Sequence, residues 1–186
     1  MNNIDYSKQI IRKEYFLKRE TNLQQNFHKE NEKIIQNLSR ILAANNQELY
    51  GLYLAMNGEP DILKLGIMNG KTIALPKIID REMIFVKYQP GDSLEKSKFD
   101  KLSQPKSAKE VTPKVIIVPG LCFSVKGYRI GFGFGHYDKY LHKVRQFYQP
   151  IVIGVCFHDN LKLSLPFGQY DQKMDYLITD QMMLKI

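Results

Sequence analysis

The sequence contains two cysteines, Cys122 and Cys156, and they lie far apart in the chain. Neither has a second cysteine at the two-residue spacing of a redox or zinc pair, which excludes both kinds of site. The four histidines also lack the spacing of zinc ligands. We therefore expect two buried thiols in a reducing cytosol.

A long apolar run is absent as well. No stretch approaches the roughly 18 residues that suggest a membrane span, and the first thirty residues are polar and charged. We therefore expect neither secretion nor membrane insertion, and we predict a cytoplasmic protein with no membrane partner.

The charge of the chain is strongly unbalanced. Lys and Arg number 27 against 19 Asp and Glu, which gives a formal charge of +8. This excess favours an anionic partner, whether nucleic acid, an anionic membrane face or a small polyanion such as a nucleotide or a glutamate-bearing cofactor. With 186 residues, 44% of them hydrophobic, the chain can bury one core without disulfides or metals, so we predict a single domain over residues 1–186.

Hydrophobic periodicity predicts two opening helices followed by short strands. Apolar residues recur at three- and four-residue steps over residues 6–44. The period then changes, and β-rich runs follow. The predicted strands are residues 49–54, 72–75, 83–88, 115–118, 151–155 and 176–179.

Two of these runs, residues 115–118 and 151–153, are apolar at every position. Such runs suit central strands of a parallel sheet that is covered on both faces. We therefore predict an α/β fold, a three-layer sandwich in which helices flank a mostly parallel central sheet. Residues 88–113 are rich in Pro, Gly, Ser and Lys, which predicts a long exposed segment, partly mobile.

The most informative stretch is a glycine-rich turn with a charged residue on either side. Gly131, Gly133 and Gly135 alternate after a predicted strand and before a helix. This pattern allows a close backbone approach to a phosphate at the helix start. Arg129 is suited to phosphate oxygens and Asp138 to magnesium. The spacing is neither the dinucleotide fingerprint nor a P-loop, so a tight turn without a ligand stays open, and Asp138 could act only on the helix N-terminus.

From Pro119 to Leu141 the chain resembles the 5-formyltetrahydrofolate cyclo-ligases, also called methenyltetrahydrofolate synthetases. Their pattern is Pro-Gly-x-x-Phe, then Gly-x-Arg-Leu-Gly-x-Gly-x-Gly-x-Tyr-Asp-x-x-Leu, with Ile130 here in the place of a leucine. The resemblance implies that Arg129 and Tyr137 contact ATP and that Asp138 binds magnesium. It further implies that Gly131 contacts ATP. The residues implied to contact both ATP and folate are Phe132, Gly133, Phe134, Gly135 and His136.

Other segments match this family in the same order along the chain. Lys8 and Arg12 share one helical face and match the opening helix whose cations reach ATP phosphates, although a solvated basic face is the simpler alternative. Leu54 and Glu59 match the segment that holds the folate, where an exposed loop carboxylate is the alternative. Met83 matches a pterin-pocket position.

Phe85 and Tyr88 are further candidates for the pterin pocket, with core packing as the alternative. Near the C-terminus, Asp171 matches a metal-associated aspartate. Asp175 matches a second common aspartate, which we expect to organise the loop.

The chain also departs from the family pattern. Phe134 stands where glycine or lysine is usual, His136 where tyrosine is commoner and Gly168 where glutamate is usual. A divergent member with the same nucleotide site but another substrate is therefore one alternative. A basic nucleic-acid-binding module, suggested by the Lys-rich residues 96–114, is the other.

The resemblance implies an enzyme that converts 5-formyltetrahydrofolate to 5,10-methenyltetrahydrofolate, with ATP as co-substrate and Mg²⁺ as cofactor. No protein nucleophile is needed, which agrees with the lack of a convincing Ser-His-Asp or Cys-His set. We expect no nucleic-acid partner and favour a monomer. The interpretation requires Lys8, Glu59 and Asp138 to meet in one cleft.

Overall fold

We describe a computed structural model for residues 3–21, 27–45, 47–56, 58–64, 71–98, 100, 102–107 and 109–186. The helices are α1 (Asn3–Thr21), α2 (Phe27–Ala43) and α3 (His136–Val144), with a 3₁₀ turn at His158–Asn160. The first six strands are β1 (Leu49–Gly51), β2 (Thr72–Ile79), β3 (Glu82–Tyr88), β4 (Leu94–Lys96), β5 (Ser103–Pro105) and β6 (Glu110–Val111). The others are β7 (Val115–Pro119), β8 (Cys122–Ser124), β9 (Arg129–Ile130), β10 (Ile151–Val155), β11 (Leu161–Lys162), β12 (Tyr176–Ile178) and β13 (Met183–Lys185).

Eight of the described strands form one twisted sheet in the order β13-β12-β10-β7-β1-β2-β3-β6. The five strands from β12 to β2 in this order are parallel to one another, and antiparallel strands complete both edges. Strand β7 lies in the middle, with Val115 paired to both Tyr50 and Ile151. The prediction of a mostly parallel central sheet is confirmed.

Side chains of β7 alternate between two hydrophobic cores, one on each face of the sheet. Val115 and Ile117 pack with the buried residues of α2, such as Leu38. Ile116 and Val118 pack in a separate cluster with α3. Helices therefore cover both faces, which gives the predicted three-layer α/β arrangement.

Helix α1 packs against a second, three-stranded sheet of order β11-β8-β9. Tyr15, only 1% exposed, shares a small core with Cys122 and Ile130. The rings of Phe16 and Phe132 lie 5.4 Å apart and join the helix to the glycine-rich turn. Both cysteines are buried free thiols, as predicted.

Most described residues of 88–113 are exposed, as predicted, but the centre of this segment forms regular structure that was not predicted. Strands β4 and β5 pair as an antiparallel hairpin that is tied to β2 by the buried side chain of Lys77. Its Nζ donates hydrogen bonds of 2.9 Å to Glu95 Oε1 and to the carbonyl oxygens of Pro105 and Lys106. A buried ammonium is stable only with such acceptors, so the hairpin and Lys77 fix each other.

Where the chain is described, no helix combines the length and the apolar character that crossing a membrane requires.

Candidate active site

A cavity of about 360 Å³ opens at the carboxyl ends of β1, β2 and β7, the end at which parallel α/β sheets bind ligands. Helix α1, the loop after β1, the β4–β5 hairpin and the glycine-rich turn surround it. Of the residues that the sequence analysis assigned to ATP, folate or metal, all but Phe85 and Tyr88 line this cavity: Lys8, Arg12, Leu54, Glu59, Met83, Arg129, Gly131, Phe132, Gly133, Phe134, Gly135, His136, Tyr137, Asp138 and Asp171. The required convergence in one cleft is observed.

Helix α1 places its basic face against the glycine-rich turn. Arg12 Nε donates a 3.0 Å hydrogen bond to the carbonyl oxygen of Gly131. One turn earlier, Lys8 Nζ donates to Asp171 Oδ2, and the Lys8 side chain is 12% exposed. These two cations therefore do not belong to a solvated helix face. The side chain of Arg19, a further basic residue of this segment, lies outside the described residues.

The glycine-rich turn leads directly into the start of α3. Gly133 has φ of 105° and Gly135 has φ of 70°, a region that favours glycine. A Cβ at Gly133 would lie 3.5 Å from the guanidinium of Arg12. Because the first N–H groups of a helix lack intrahelical acceptors and carry its positive dipole end, this position suits an anion.

Arg129 and Asp138 form a largely buried ion pair beside this turn. Arg129 Nη2 lies 3.1 Å from Asp138 Oδ2, and the two side chains are 6% and 18% exposed. Asp138 Oδ1 accepts a 3.0 Å hydrogen bond from the backbone N–H of Gln172. The guanidinium of Arg129 also lies 5.6 Å from the ring centre of Tyr137. Asp138 thus lies in the first turn of α3 and also contacts the neighbouring loop.

Asp138 and Asp171 provide the cavity's two candidate metal ligands. Besides Lys8, Asp171 Oδ2 accepts a 2.6 Å hydrogen bond from the N–H of Gly168. Among the residues that the structure describes, no group of three or more His, Cys, Asp or Glu side chains is arranged to hold a metal ion. Magnesium is usually held by one or two carboxylates together with substrate phosphates and water. The two aspartates fit that kind of site.

The loop after β1 places a buried carboxylate in the cavity. Glu59 is 2% exposed, and its Oε2 accepts a 3.0 Å hydrogen bond from the N–H of Met56. The loop is held by Tyr53, whose hydroxyl donates to the carbonyl oxygen of Pro60 at 2.8 Å. Glu59 is therefore not an exposed loop carboxylate.

Tyr137 presents a hydroxyl group to the same region. Its Oη is buried and has no hydrogen-bond partner within the described part of the chain. Burial, together with the negative charge of Glu59, raises the pKa of Tyr137 well above its usual value, against the opposing effect of Arg129. The hydroxyl remains protonated and can donate to a ligand.

Only one of the three candidates on β3 lines the cavity. Met83 does so, whereas Phe85 and Tyr88 are buried in the cores on the two faces of the sheet. Core packing, the alternative, is therefore correct for both. Phe85 shares a face of the sheet with Met83 but lies two residues further along the strand, where its ring is 5.2 Å from that of Tyr140 in α3. Tyr88 faces the core on the other side. Asp175 organises structure as expected, since its Oδ2 accepts a 2.7 Å hydrogen bond from the N–H of Val152.

Two aromatic side chains project from the glycine-rich turn. The rings of Phe134 and His136 are stacked, with centres 5.4 Å apart and planes 17° from parallel. Phe134 is 43% exposed, whereas the His136 side chain is 11% exposed. Burial lowers the pKa of His136, and the nearby carboxylate of Asp100 opposes this shift.

The sequence analysis missed a whole wall of the cavity. It is contributed by the β4–β5 hairpin: Lys96, Asp100, Leu102, Ser103 and Gln104. No periodicity marks this stretch, because its strands are three residues long and largely polar. Lys77, a lysine inside a largely apolar strand, is the unusual feature of the sequence here, but by itself it does not indicate the hairpin.

The comparisons with known proteins agree on one family for this chain. The sequence profile of the 5-formyltetrahydrofolate cyclo-ligase family matches residues 4–180. A Schizosaccharomyces pombe protein named probable 5-formyltetrahydrofolate cyclo-ligase is 25% identical over 141 residues, which are 67% of this chain and 69% of the relative. The Mus musculus 5-formyltetrahydrofolate cyclo-ligase is 32% identical over 66 residues, which are 34% of this chain and 32% of the relative.

Solved structures agree with this result. The Aquifex aeolicus 5,10-methenyltetrahydrofolate synthetase superposes with a TM-score of 0.78 at 27% identity and covers 96% of this chain and 92% of its own. A Mycoplasma pneumoniae 5,10-methenyltetrahydrofolate synthetase gives a TM-score of 0.71 at 22% identity, with 93% and 98% covered. At that identity, the second likeness concerns the fold alone.

Proposed function

The chain belongs to the 5-formyltetrahydrofolate cyclo-ligase family, and from this we propose that it closes 5-formyltetrahydrofolate to 5,10-methenyltetrahydrofolate while ATP is converted to ADP and phosphate. One observation carries the proposal. The basic face of α1, the buried carboxylate of Glu59 and the glycine-rich turn with Asp138 line a single cavity. Such a cavity suits a nucleotide beside a flat, partly apolar ring system.

The chemistry requires activation of the formyl group, because its oxygen is a poor leaving group. In the proposed reaction this oxygen forms a bond to the γ-phosphorus of ATP, and the bond from that phosphorus to the β-γ bridging oxygen breaks to release ADP. N10 of the folate then bonds to the formyl carbon and loses its proton, and the phosphorylated oxygen leaves as phosphate, which can take up that proton. All atoms and electrons balance without a protein nucleophile.

The protein's part in phosphoryl transfer is alignment and charge stabilisation. We assign phosphate binding to Lys8, Arg12 and Arg129, together with the peptide groups at the start of α3. Arg12 is already held against the turn by its hydrogen bond to Gly131, so it needs little reordering to meet a phosphate. A cation fixed in advance contributes more in a cavity than in water.

Asp138 and Asp171 are the residues that would hold Mg²⁺, which would neutralise phosphate charge when bound. Both carboxylates already lie next to cations, Asp138 beside Arg129 and Asp171 beside Lys8. The protein therefore contributes two pairs of opposite charges to the part of the cavity that we assign to the phosphates.

We assign the folate ring to the side of the cavity that holds Glu59. Its carboxylate can accept hydrogen bonds from pterin N–H groups, and the protonated hydroxyl of Tyr137 can donate one. Leu54 and Met83 provide apolar contact. A buried carboxylate is a demanding acceptor, because a ligand without a matching donor would leave it unsatisfied.

The direct test is the absorbance of the methenyl product after mixing protein, 5-formyltetrahydrofolate, ATP and magnesium. We expect product only when all are present, and none after chelation of magnesium or omission of ATP. Failure of the complete mixture to produce the methenyl compound, with ATP binding retained, would favour a divergent member that acts on another substrate.

Replacing Glu59 by Ala tests the folate assignment. We expect the affinity for 5-formyltetrahydrofolate to fall about tenfold or more, the effect of losing a hydrogen bond to a charged group, with little change in ATP affinity. Asp61→Ala is the matched control, because Asp61 Oδ1 accepts from the N–H of Leu63 in the same loop at 3.2 Å. Equal loss of both affinities would indicate a structural role for Glu59.

The remaining predictions concern partners and location. A salt-titrated binding assay with RNA and DNA tests the alternative of a nucleic-acid-binding module, which requires strong salt dependence and strand or sequence preference. Cytoplasmic location and a monomeric state stay predictions.

A further inference from the structure

The β4–β5 hairpin reaches the glycine-rich turn through one buried carboxylate. Asp100 Oδ2 lies 3.2 Å from His136 Nε2, and the Asp100 side chain is 1% exposed. Its other oxygen, Oδ1, accepts a 3.1 Å hydrogen bond from the N–H of Leu102. The carboxylate is therefore held by its own hairpin on one side and meets the imidazole on the other.

The hairpin itself is anchored to the central sheet. In addition to the hydrogen bonds of Lys77, Gln104 Oε1 accepts a 2.9 Å hydrogen bond from the backbone N–H of Ile78. The position of Asp100 is thus set by β2 and not by the glycine-rich turn. A contact from this anchored hairpin limits how far the turn can move.

His136, which contacts Asp100, also contacts the ring of Phe134. Phe134 stacks on His136 at 5.4 Å, and both rings line the cavity. Phe134 is 43% exposed, so one part of the stacked pair faces open space. The cavity wall also includes the apolar side chains of Ile78 and Leu102, and apolar lining suits a flat ring better than a phosphate.

We propose that Asp100 is a positioning residue, which holds His136 under Phe134 so that the stacked pair forms a fixed aromatic shelf for the pterin ring of the folate substrate. Asp100 acts through His136 and is not itself a catalytic residue. A flat aromatic surface held in place in advance binds a planar ring better than a mobile one, because less side-chain freedom is lost on binding. The inference rests on the proposed function, since that function supplies the pterin.

The test compares five proteins: the unmodified chain, Asp100→Ala, Asp100→Asn, His136→Ala and the double variant Asp100→Ala/His136→Ala. For each, kcat and the KM values for 5-formyltetrahydrofolate and ATP are measured, and the thermal unfolding midpoint confirms a folded protein. Asp92→Ala is the matched control, because Asp92 lies just before the hairpin and its Oδ2 accepts from the N–H of Gln89 at 2.8 Å, away from the cavity lining.

We expect Asp100→Ala to raise the KM for 5-formyltetrahydrofolate about tenfold, the upper end of the cost of ordering one mobile side chain on binding, while kcat and the KM for ATP change less than about twofold. Asp100→Asn keeps an acceptor oxygen of the same reach and should recover most of the affinity. In the His136→Ala background the Asp100 substitution should have no further effect on this KM, because its partner is gone.

Three results would overturn the inference: an unchanged folate KM in Asp100→Ala, an ATP KM that rises as much as the folate KM, or additive effects in the double variant. The first would leave the proposed function intact, because the unmodified chain would still form product. A lack of product from the unmodified chain would instead overturn the proposed function, and this inference with it.

Discussion

Asp138→Asn and Glu82→Gln each remove one negative charge from an ion pair of the same length, in different surroundings. Arg129–Asp138 and Lys143–Glu82 both have nitrogen-to-oxygen distances of 3.1 Å. The side chains of the first pair are 6% and 18% exposed, and those of the second are 66% and 71% exposed. Burial is therefore the largest difference between the two pairs, and comparing the two substitutions tests its effect.

The expected free-energy changes differ severalfold. Removing one partner of a buried pair leaves an uncompensated charge and costs about 3–5 kcal/mol. Because Asn keeps an oxygen for the N–H of Gln172, we expect Asp138→Asn to lower the free energy of unfolding by about 3 kcal/mol. The exposed pair is worth less than about 1 kcal/mol, so Glu82→Gln should change stability by about 0.5 kcal/mol or less.

Urea unfolding in the presence of a metal chelator measures both changes without any contribution from bound cations. At this chain length the first variant should also lower the thermal midpoint by about 6–12 °C, and the slope of free energy against urea should stay constant in both. A loss below about 1 kcal/mol for Asp138→Asn would refute the reasoning, because Asp138 and Arg129 would then behave as a surface pair.

Three further predictions concern the hairpin and the sheet. Lys77→Met should speed amide hydrogen exchange over residues 94–106 before the rest of the sheet, because the anchor of the hairpin is lost; uniform protection would contradict this. The Lys77 amine lowers the pKa of Glu95, so the contact stabilises the fold above the pKa of the unfolded state and is lost as pH falls through the lower folded pKa. An NMR titration should find the Glu95 pKa low in the unmodified chain and closer to its ordinary value in Lys77→Met. Gly51→Ala should destabilise the protein by about 1–3 kcal/mol in urea unfolding, because its Cβ would lie 2.9 Å from both Phe85 and Pro113.

The sequence predicts the central architecture well because apolar periodicity controls it. The predicted helical residues 6–44 cover α2 and all but the first three residues of α1, and each of the six predicted strands overlaps one strand of the sheet. The predicted strand ended at residue 75, one residue before Pro76. In the structure β2 continues to Ile79, with Pro76 opposite Phe85 in the ladder, so pairing with β3 overrides the local effect of proline.

The hairpin wall of the cavity was not predictable from local pattern. Its strands are short and polar, and they are ordered by distant acceptor and donor groups, chiefly Lys77 and the backbone of Ile78. A lysine in a strand normally indicates the solvent face. Only the fold reveals that Lys77 is 7% exposed and that Asp100 consequently lies against the glycine-rich turn.

The candidate site also explains why the net charge of +8 did not locate it. Lys8 and Arg129 are each paired with an aspartate inside the cavity, so the site is locally close to neutral while the excess of positive charge lies elsewhere. Replacing such pairs by apolar side chains is often neutral or stabilising, so stability alone gives little reason to keep them. The proposed function gives a reason to keep them, because the same cations would then meet phosphate oxygens and the same carboxylates would hold a metal cation. The glycine-rich motif, with Arg129 before it and Asp138 after it, therefore indicates where the candidate site lies, whereas the net charge of the chain does not.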